Sequence, residues 1–323
     1  MSDAAASTIA GPLSGRVAIV TGGGRGIGRE HALAFARAGA SVLVNDLGGA
    51  GDGSGSSAEP AAEVAALIRA EGGAAVANGD DVATEEGSER IIAQAVSEFG
   101  GLHALVNNAG ILRDRTLLNM SFDDWDDVIR VHLRGTFAMT RAAGRHWRDE
   151  AKAGRAVTGR VINTSSGSGL FGNFGQANYG AAKGGIASLT VIAAMELGRY
   201  GVTVNAIAPV AKTRLTATAG MTQAIGDGFD PLAPEHVSPF VVWLASERSG
   251  ALTGRVFSVV GGYVGVCEGW RVGSSVRSDG PLDFDAIDAE LPAAIDRAAP
   301  NFPVTESHPY VGRGRAAVAG GAR

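Results

Sequence analysis

Cysteine is nearly missing from this sequence. The 323 residues include one, Cys267, so an internal disulfide is excluded, and two-cysteine metal and redox motifs with it. A lone thiol ahead of a tail reads as an inert side chain rather than a nucleophile, and no metal is expected. Aromatic residues are sparse at 6% and charged residues reach only 19%. Lys plus Arg number 28 against 33 Asp plus Glu, a formal charge of −5. No block of Lys and Arg makes a basic footprint, so nucleic acid is not an expected partner. Long apolar runs are also lacking. The longest candidate, 186–195, falls well short of the roughly 20 residues a membrane helix needs, so no membrane partner is expected. Residues 1–11 hold no basic residue and no apolar stretch; they read as a mobile tail rather than a signal peptide. The expected location is the cytoplasm. Proline is limited to 11 positions and the 48 glycines follow no three-residue period, which excludes collagen. An apolar content of 45% is too high for a disordered chain.

What is present is an alternation. Short β-branched runs at 17–20, 41–45, 74–78, 104–107, 161–164, 202–207 and 256–260 read as strands. Between them, 26–38, 63–70, 85–99, 122–150, 179–200 and 234–246 read as helices. Strands that are nearly unbroken apolar runs belong to a parallel sheet covered on both faces. The expected fold is α/β: a doubly wound Rossmann fold with a seven-stranded parallel sheet over 12–265, followed by a C-terminal extension over 266–323. Two stretches interrupt the pattern. One is a Gly/Ser/Asp loop at 47–57. The other, 211–232, lies where α/β enzymes often carry a mobile substrate lid, although an ordinary surface insertion would look the same. In the extension, 284–299 reads as an amphipathic helix broken at Pro292, and 301–323 as extended chain.

The first strand runs into Thr21-Gly22-Gly23-Gly24-Arg25-Gly26-Ile27-Gly28. A strand, a Gly-rich turn and a helix in that order form a dinucleotide-binding fingerprint, with Gly22, Arg25, Gly26, Ile27 and Gly28 at the phosphates. Glycines let the backbone approach the pyrophosphate, and the helix N-terminus offers unpaired N–H groups. Asp46 ends the second strand at about the twenty-residue offset where a carboxylate accepts from the adenosine ribose hydroxyls. It would repel a 2′-phosphate, which favours NAD. Arg25 is a competing signal toward NADP, and Asp46 could instead be a turn-former before Gly48-Gly49. The third strand ends in Asp80-Asp81-Val82 and the fourth in Asn107-Asn108-Ala109-Gly110. Asp81, Val82, Asn108, Ala109 and Gly110 therefore stand where parallel sheets bind ligands.

Tyr179 and Lys183 are four residues apart in an apolar helix, hence on one helical face. Ser166 lies thirteen residues before Tyr179, at the carboxyl end of the fifth strand. A phenol is a poor base at neutral pH. A nearby ammonium and a bound nicotinamide cation would lower its pKa, and it could then exchange a proton with a carbinol oxygen while hydride moves. Ser166 would hold the same oxygen, and Lys183 would also bind the nicotinamide ribose. The Tyr/Lys pair alone is a weak signal; joined to the serine and the dinucleotide loop it is specific.

These residues, together with 205–209, resemble the short-chain dehydrogenase/reductase family over about 12–265. Within it the chain looks most like the dehydrogenase part of the type-two peroxisomal multifunctional enzymes of β-oxidation, also described as 17β-hydroxysteroid dehydrogenases. The closer matches are Val44-Asn45-Asp46-Leu47-Gly48-Gly49, Val131-His132-Leu133-Arg134-Gly135, Gly172 through Tyr179, and Gly261-Gly262-Tyr263-Val264-Gly265. The resemblance implies NAD-dependent oxidation of a (3R)-hydroxyacyl-CoA to the 3-oxoacyl-CoA by a stand-alone dehydrogenase. It implies His132 as a fourth member of a proton relay, where the wider family has Asn; a hydrogen-bonded helix histidine is the plainer reading. It places Pro209 and Val210 on the nicotinamide face, where the family tends to have Gly at 210, and Thr213 on the nicotinamide amide. Of the neighbouring serines 165, 166 and 168, the spacing selects Ser166. The resemblance also implies a homodimer or homotetramer through the two long apolar helices. Two alternatives stand beside the CoA-ester reading: a hydroxysteroid or other secondary-alcohol dehydrogenase with the same catalytic residues, and a NAD-binding sensor without turnover.

Overall fold

The computed structural model of the chain describes residues 9–212 and 229–309. Eight strands form one sheet in the order β3-β2-β1-β4-β5-β6-β7-β8. They are β1 Val17–Thr21, β2 Ser41–Asn45, β3 Ala75–Asn78, β4 Ala104–Asn107, β5 Arg160–Thr164, β6 Thr203–Pro209, β7 Val256–Val260 and β8 Tyr263–Cys267. The first seven pair in parallel, as their apolar runs predict. Every residue of β1, β4, β5 and β7 is buried. The eighth strand corrects the seven-strand expectation. It folds back antiparallel, pairing Val260 with Tyr263 across the two-residue turn Gly261-Gly262. Gly262 has φ +73°, a left-handed backbone that glycine adopts without a Cβ penalty. Along β8, exposed residues alternate with partly buried ones, as on a sheet edge, so it lacks the apolar run that marks the others. The 265/266 boundary therefore falls inside a strand.

The helices are α1 Gly26–Arg37, α2 Glu59–Ala70, α3 Glu85–Phe99, α4 Phe122–Ile129, α5 Gly135–Lys152, α6 Gly167–Phe171, α7 Ala177–Leu197, α8 Ser238–Ala245 and α9 Phe284–Asp296. One core, including Phe35, Ile68 and Val241, lies under α1, α2 and α8. The other, including Ile91, Met139 and Trp147, lies under α3, α5 and α7. The Trp147 indole is buried and donates to the Leu102 carbonyl at 2.8 Å, which satisfies its one polar atom. Between α4 and α5 the helix widens into a π turn at Arg130–Arg134. Such turns re-aim side chains and recur at functional sites.

The helix through Ala177–Tyr200 is long and apolar enough to cross a membrane by length and composition alone, which is more than 186–195 indicated. A core helix passes the same test, and α7 buries Ala182, Lys183, Ile186 and Thr190. In the extension, α9 continues through Pro292 instead of breaking there. Most of that helix is exposed, so water can take the carbonyl that proline leaves unbonded. Most of the expected N-terminal tail, of the 211–232 lid and of the final extended stretch lies outside the described residues, and Thr213 with them.

Candidate active site

The chain steps outward from β1 to β3 and then returns to β4 on the other side of β1. A doubly wound sheet binds ligands at this reversal, beyond the carboxyl ends of the strands. A cleft of about 540 Å³ opens there. Each sequence-predicted site residue among the described ones lines it: Gly22, Arg25, Gly26, Ile27, Gly28, Asp46, Asp81, Val82, Asn108, Ala109, Gly110, His132, Ser166, Tyr179, Lys183, Pro209 and Val210.

The half under β1 and β2 suits a dinucleotide. A Cβ on Gly28 would run into the Gly22 carbonyl and the Asn108 side chain, so the turn closes only with glycine there. No side chain caps the N-terminus of α1 at Arg25, leaving its first N–H groups to an anion. Asp46 accepts from the Gly24 N–H at 2.8 Å through one oxygen and from the Gly48 N–H at 2.7 Å through the other. It is thus a turn-former, and each oxygen keeps a lone pair for a further donor. Arg25 donates to the Gly49 carbonyl at 3.2 Å. Asn108 braces the glycine turn, its amide donating to the Thr21 and Gly22 carbonyls at 3.1 Å each. Asp81 accepts from Arg130 at 2.7 Å and from the Ala83 N–H at 2.8 Å.

The half under β5 and α7 holds the candidate catalytic side chains. Ser166 caps α6, its Oγ accepting from the Ser168 N–H at 3.2 Å. That leaves the hydroxyl hydrogen to donate into the cleft. Ser165 instead turns inward and donates to the Lys183 carbonyl at 2.9 Å. Lys183 donates to the Thr164 carbonyl at 2.6 Å, and its Nζ lies 5.5 Å from the Tyr179 ring centroid. His132, delivered by the π turn, packs its ring edge against Tyr179.

The sequence matches the short chain dehydrogenase family over residues 16–224. The chain is a short-chain dehydrogenase. It is 48% identical over 256 residues to hydroxyacyl-CoA dehydrogenase ChsB1 of Mycobacterium tuberculosis, covering 78% of this chain and 79% of that one. It is 46% identical over 283 residues to the peroxisomal multifunctional enzyme type 2 of Mus musculus, covering 86% of this chain but only 37% of that longer protein. A crystal structure of a short chain dehydrogenase from Mycobacterium avium superposes with a TM-score of 0.82 at 51% identity, covering 91% of this chain and 99% of that one. The dehydrogenase is an oxidoreductase acting on CH–OH groups with a nicotinamide dinucleotide, NAD or NADP.

Burial dominates the electrostatics of the dehydrogenase's candidate catalytic side chains. Desolvation pushes the Tyr179 phenol above its ordinary pKa; a hydrogen bond with Ser166 opposes this, and the Asp114 carboxylate adds to it. Desolvation pulls Lys183 down to about 7. Loss of water is thus the largest influence on the phenol in the protein alone; the expected lowering includes a bound nicotinamide cation. His132 is likewise held down to about 3, by burial first and then by Lys183.

Sequence reasoning missed several residues. Asn178 donates from its amide to the Arg113 and Asp124 carbonyls at 3.0 and 2.9 Å, and accepts from the Tyr179 N–H at 2.7 Å, so it fixes where α7 starts. Gln176 donates to Asp114 at 2.8 Å, and both line the cleft. The polar cluster before Tyr179 was the available signal. Val304, Thr305, Ser307 and His308 also line the cleft, and no motif marks them.

Proposed function

We propose that this dehydrogenase oxidises a (3R)-hydroxyacyl-CoA to the 3-oxoacyl-CoA with NAD. The observation that carries the reading is one cleft holding Ser166, Tyr179 and Lys183 at one end and Asp46 at the other. The hydroxyacyl-CoA dehydrogenase named among its relatives supports the substrate class. Asp46 supports NAD, since a carboxylate there repels a 2′-phosphate, and Arg25 is turned to a backbone carbonyl.

NAD, when bound, supplies the hydride acceptor and a positive charge that favours the phenolate. Ser166 donates its hydroxyl hydrogen to the carbinol oxygen and orients it. Tyr179 as phenolate takes the carbinol proton as the C–H electron pair leaves with its hydrogen as hydride, and C–O becomes C=O. Lys183 holds a ribose and sets the charge beside the phenol. His132 keeps the Tyr179 ring in place. Exposed Phe137 on α5 and Ile192 and Met195 on α7 support association as a homodimer or homotetramer.

An initial-rate panel of 3-hydroxyacyl-CoA esters and hydroxysteroids, run with NAD and with NADP, tests the reading. The (3R)-thioesters with NAD are expected to give the highest kcat/KM. A preference for hydroxysteroids, or for NADP, overturns it.

A further inference from the structure

The Gly/Ser/Asp loop after β2 is a closed unit. The Ser57 N–H donates to the Leu47 carbonyl at 3.0 Å and pinches its base. Gly48 stands at that pinch with φ +75°, and a Cβ on it would run into the Ser57 carbonyl. Inside the loop the Ala50 N–H donates to the Ser54 carbonyl at 2.7 Å, and the Gly53 N–H to the Ala50 carbonyl at 3.0 Å. A loop of this length with adjoining ends is a compact surface element of a kind that is frequently functional.

Its tip reaches the chain after β4. The Leu112 N–H donates to the Gly51 carbonyl at 3.0 Å, and Arg113 Nε donates to the Asp52 carbonyl at 2.9 Å. A Cβ on Gly53 would lie 3.0 Å from Ile111 Cδ1. Strand β1 stands between β2 and β4 in the sheet. A loop that leaves β2 and touches the chain after β4 therefore crosses the carboxyl end of β1 and the glycine turn that follows it. Gly49, Ala50, Gly51 and Gly53 line the same cleft as that turn.

The two ends of this bridge are held unequally. The Arg113 guanidinium is clamped by Asp127 at 2.8 Å and Asp124 at 3.6 Å, both on α4. Its carbonyl accepts from Asn178 of α7 at 3.0 Å. Residues 46–58 contain no helix or strand, and 52–59 are exposed. Arg113 is thus a fixed post, and the glycine loop is the arm that can swing.

We propose that residues 48–57 are a strap across the dinucleotide half of the cleft, that Arg113 is its latch, and that release of the strap sets the rate at which the dinucleotide leaves. Gating of this kind governs turnover wherever product release is slow. The inference needs a nicotinamide dinucleotide and is independent of the acyl-CoA reading.

The test is stopped-flow release of NADH from the full-length enzyme, displaced by excess NAD, with Tm measured alongside. Arg113→Ala is expected to raise the release rate constant by about tenfold or more, the scale of one hydrogen bond from a charged group. A second variant acts in the opposite direction: Gly51→Cys with Leu112→Cys in a Cys267→Ser background. Oxidised after loading, it is expected to keep NADH through gel filtration and to release it on reduction. An unchanged release rate in Arg113→Ala, or an oxidised pair that loses NADH as fast as the reduced one, would overturn the proposal. So would a pair that does not oxidise, since the tip would then lie away from Leu112. An enzyme that binds NADPH alone defeats the NAD preference instead, and the strap is then judged by the same measurements with NADPH.

Discussion

The His132 imidazole stands edge-on to the Tyr179 ring, with centroids 5.2 Å apart and planes at 88°. Its Nε2 lies 2.8 Å from the Ile111 carbonyl and 3.1 Å from the Ile111 N–H, so the tautomer decides which it engages. Its Nδ1 is buried without a hydrogen-bond partner. An edge-to-face ring pair is stabilising in itself. It ties the phenol to the strand β4 loop, because the same imidazole lies against Gly110.

A methyl group at Gly110 tests that arrangement. The added Cβ would run into the His132 ring, which is buried and cannot swing away. Gly110→Ala is expected to cost about 1–3 kcal/mol, as overpacking does, and to lower kcat by displacing the phenol. Urea denaturation and initial rates measure both. Wild-type stability together with wild-type kcat would contradict the packing described.

Loss of the phenol hydroxyl should separate chemistry from binding. Tyr179→Phe is expected to lower kcat by about 10²–10⁴-fold, the range of a general acid–base group, while NADH still binds in a fluorescence titration. Retained turnover would remove Tyr179 from the chemistry.

On the proposed preference for NAD, Asp46 carries the cofactor choice. Asp46→Ser removes the charge that opposes a 2′-phosphate and two acceptors of backbone N–H groups. The NAD-to-NADP ratio of kcat/KM should fall by about a hundredfold, the scale of one like-charge juxtaposition, and Tm should drop. An unchanged ratio would assign the preference elsewhere.

Acid stability should depend on two buried imidazoles. His31 bonds Ser238 at 2.9 Å, and burial holds it down to about 3, as it holds His132. Both pKa values lie below the usual 6.5, so between about 6.5 and 3 the unfolded chain binds more protons than the folded one. The stability they contribute is complete above that window and is lost as pH falls through it, by about 1.4 kcal/mol per pH unit for each imidazole. His31→Gln should remove one imidazole's share of the slope in urea midpoints between neutral pH and pH 5. A slope equal to wild type would show that His31 does not titrate in this way.

Much of the fold was legible because its signals are local. Apolar runs such as 17–20 and 104–107 mark buried parallel strands wherever they occur, and the glycine turn before α1 carries its own backbone requirement. Ser166, Tyr179 and Lys183 were legible through spacing, since four residues along a helix share a face. Strand β8 was not, because an edge strand alternates and its pairing is set by a two-glycine turn. Residues 302–308 were not, because nothing in their composition says which part of the sheet they return to.

The order of residues by itself determined a doubly wound sheet, a dinucleotide turn and a Ser/Tyr/Lys set, all of which follow from short-range periodicity and motif. Only the tertiary structure decided that burial raises the Tyr179 phenol and lowers Lys183, and that Val304, Thr305, Ser307 and His308 return to line the cleft. Solvent exclusion and contacts between distant segments depend on how the whole chain packs, and no local stretch encodes them.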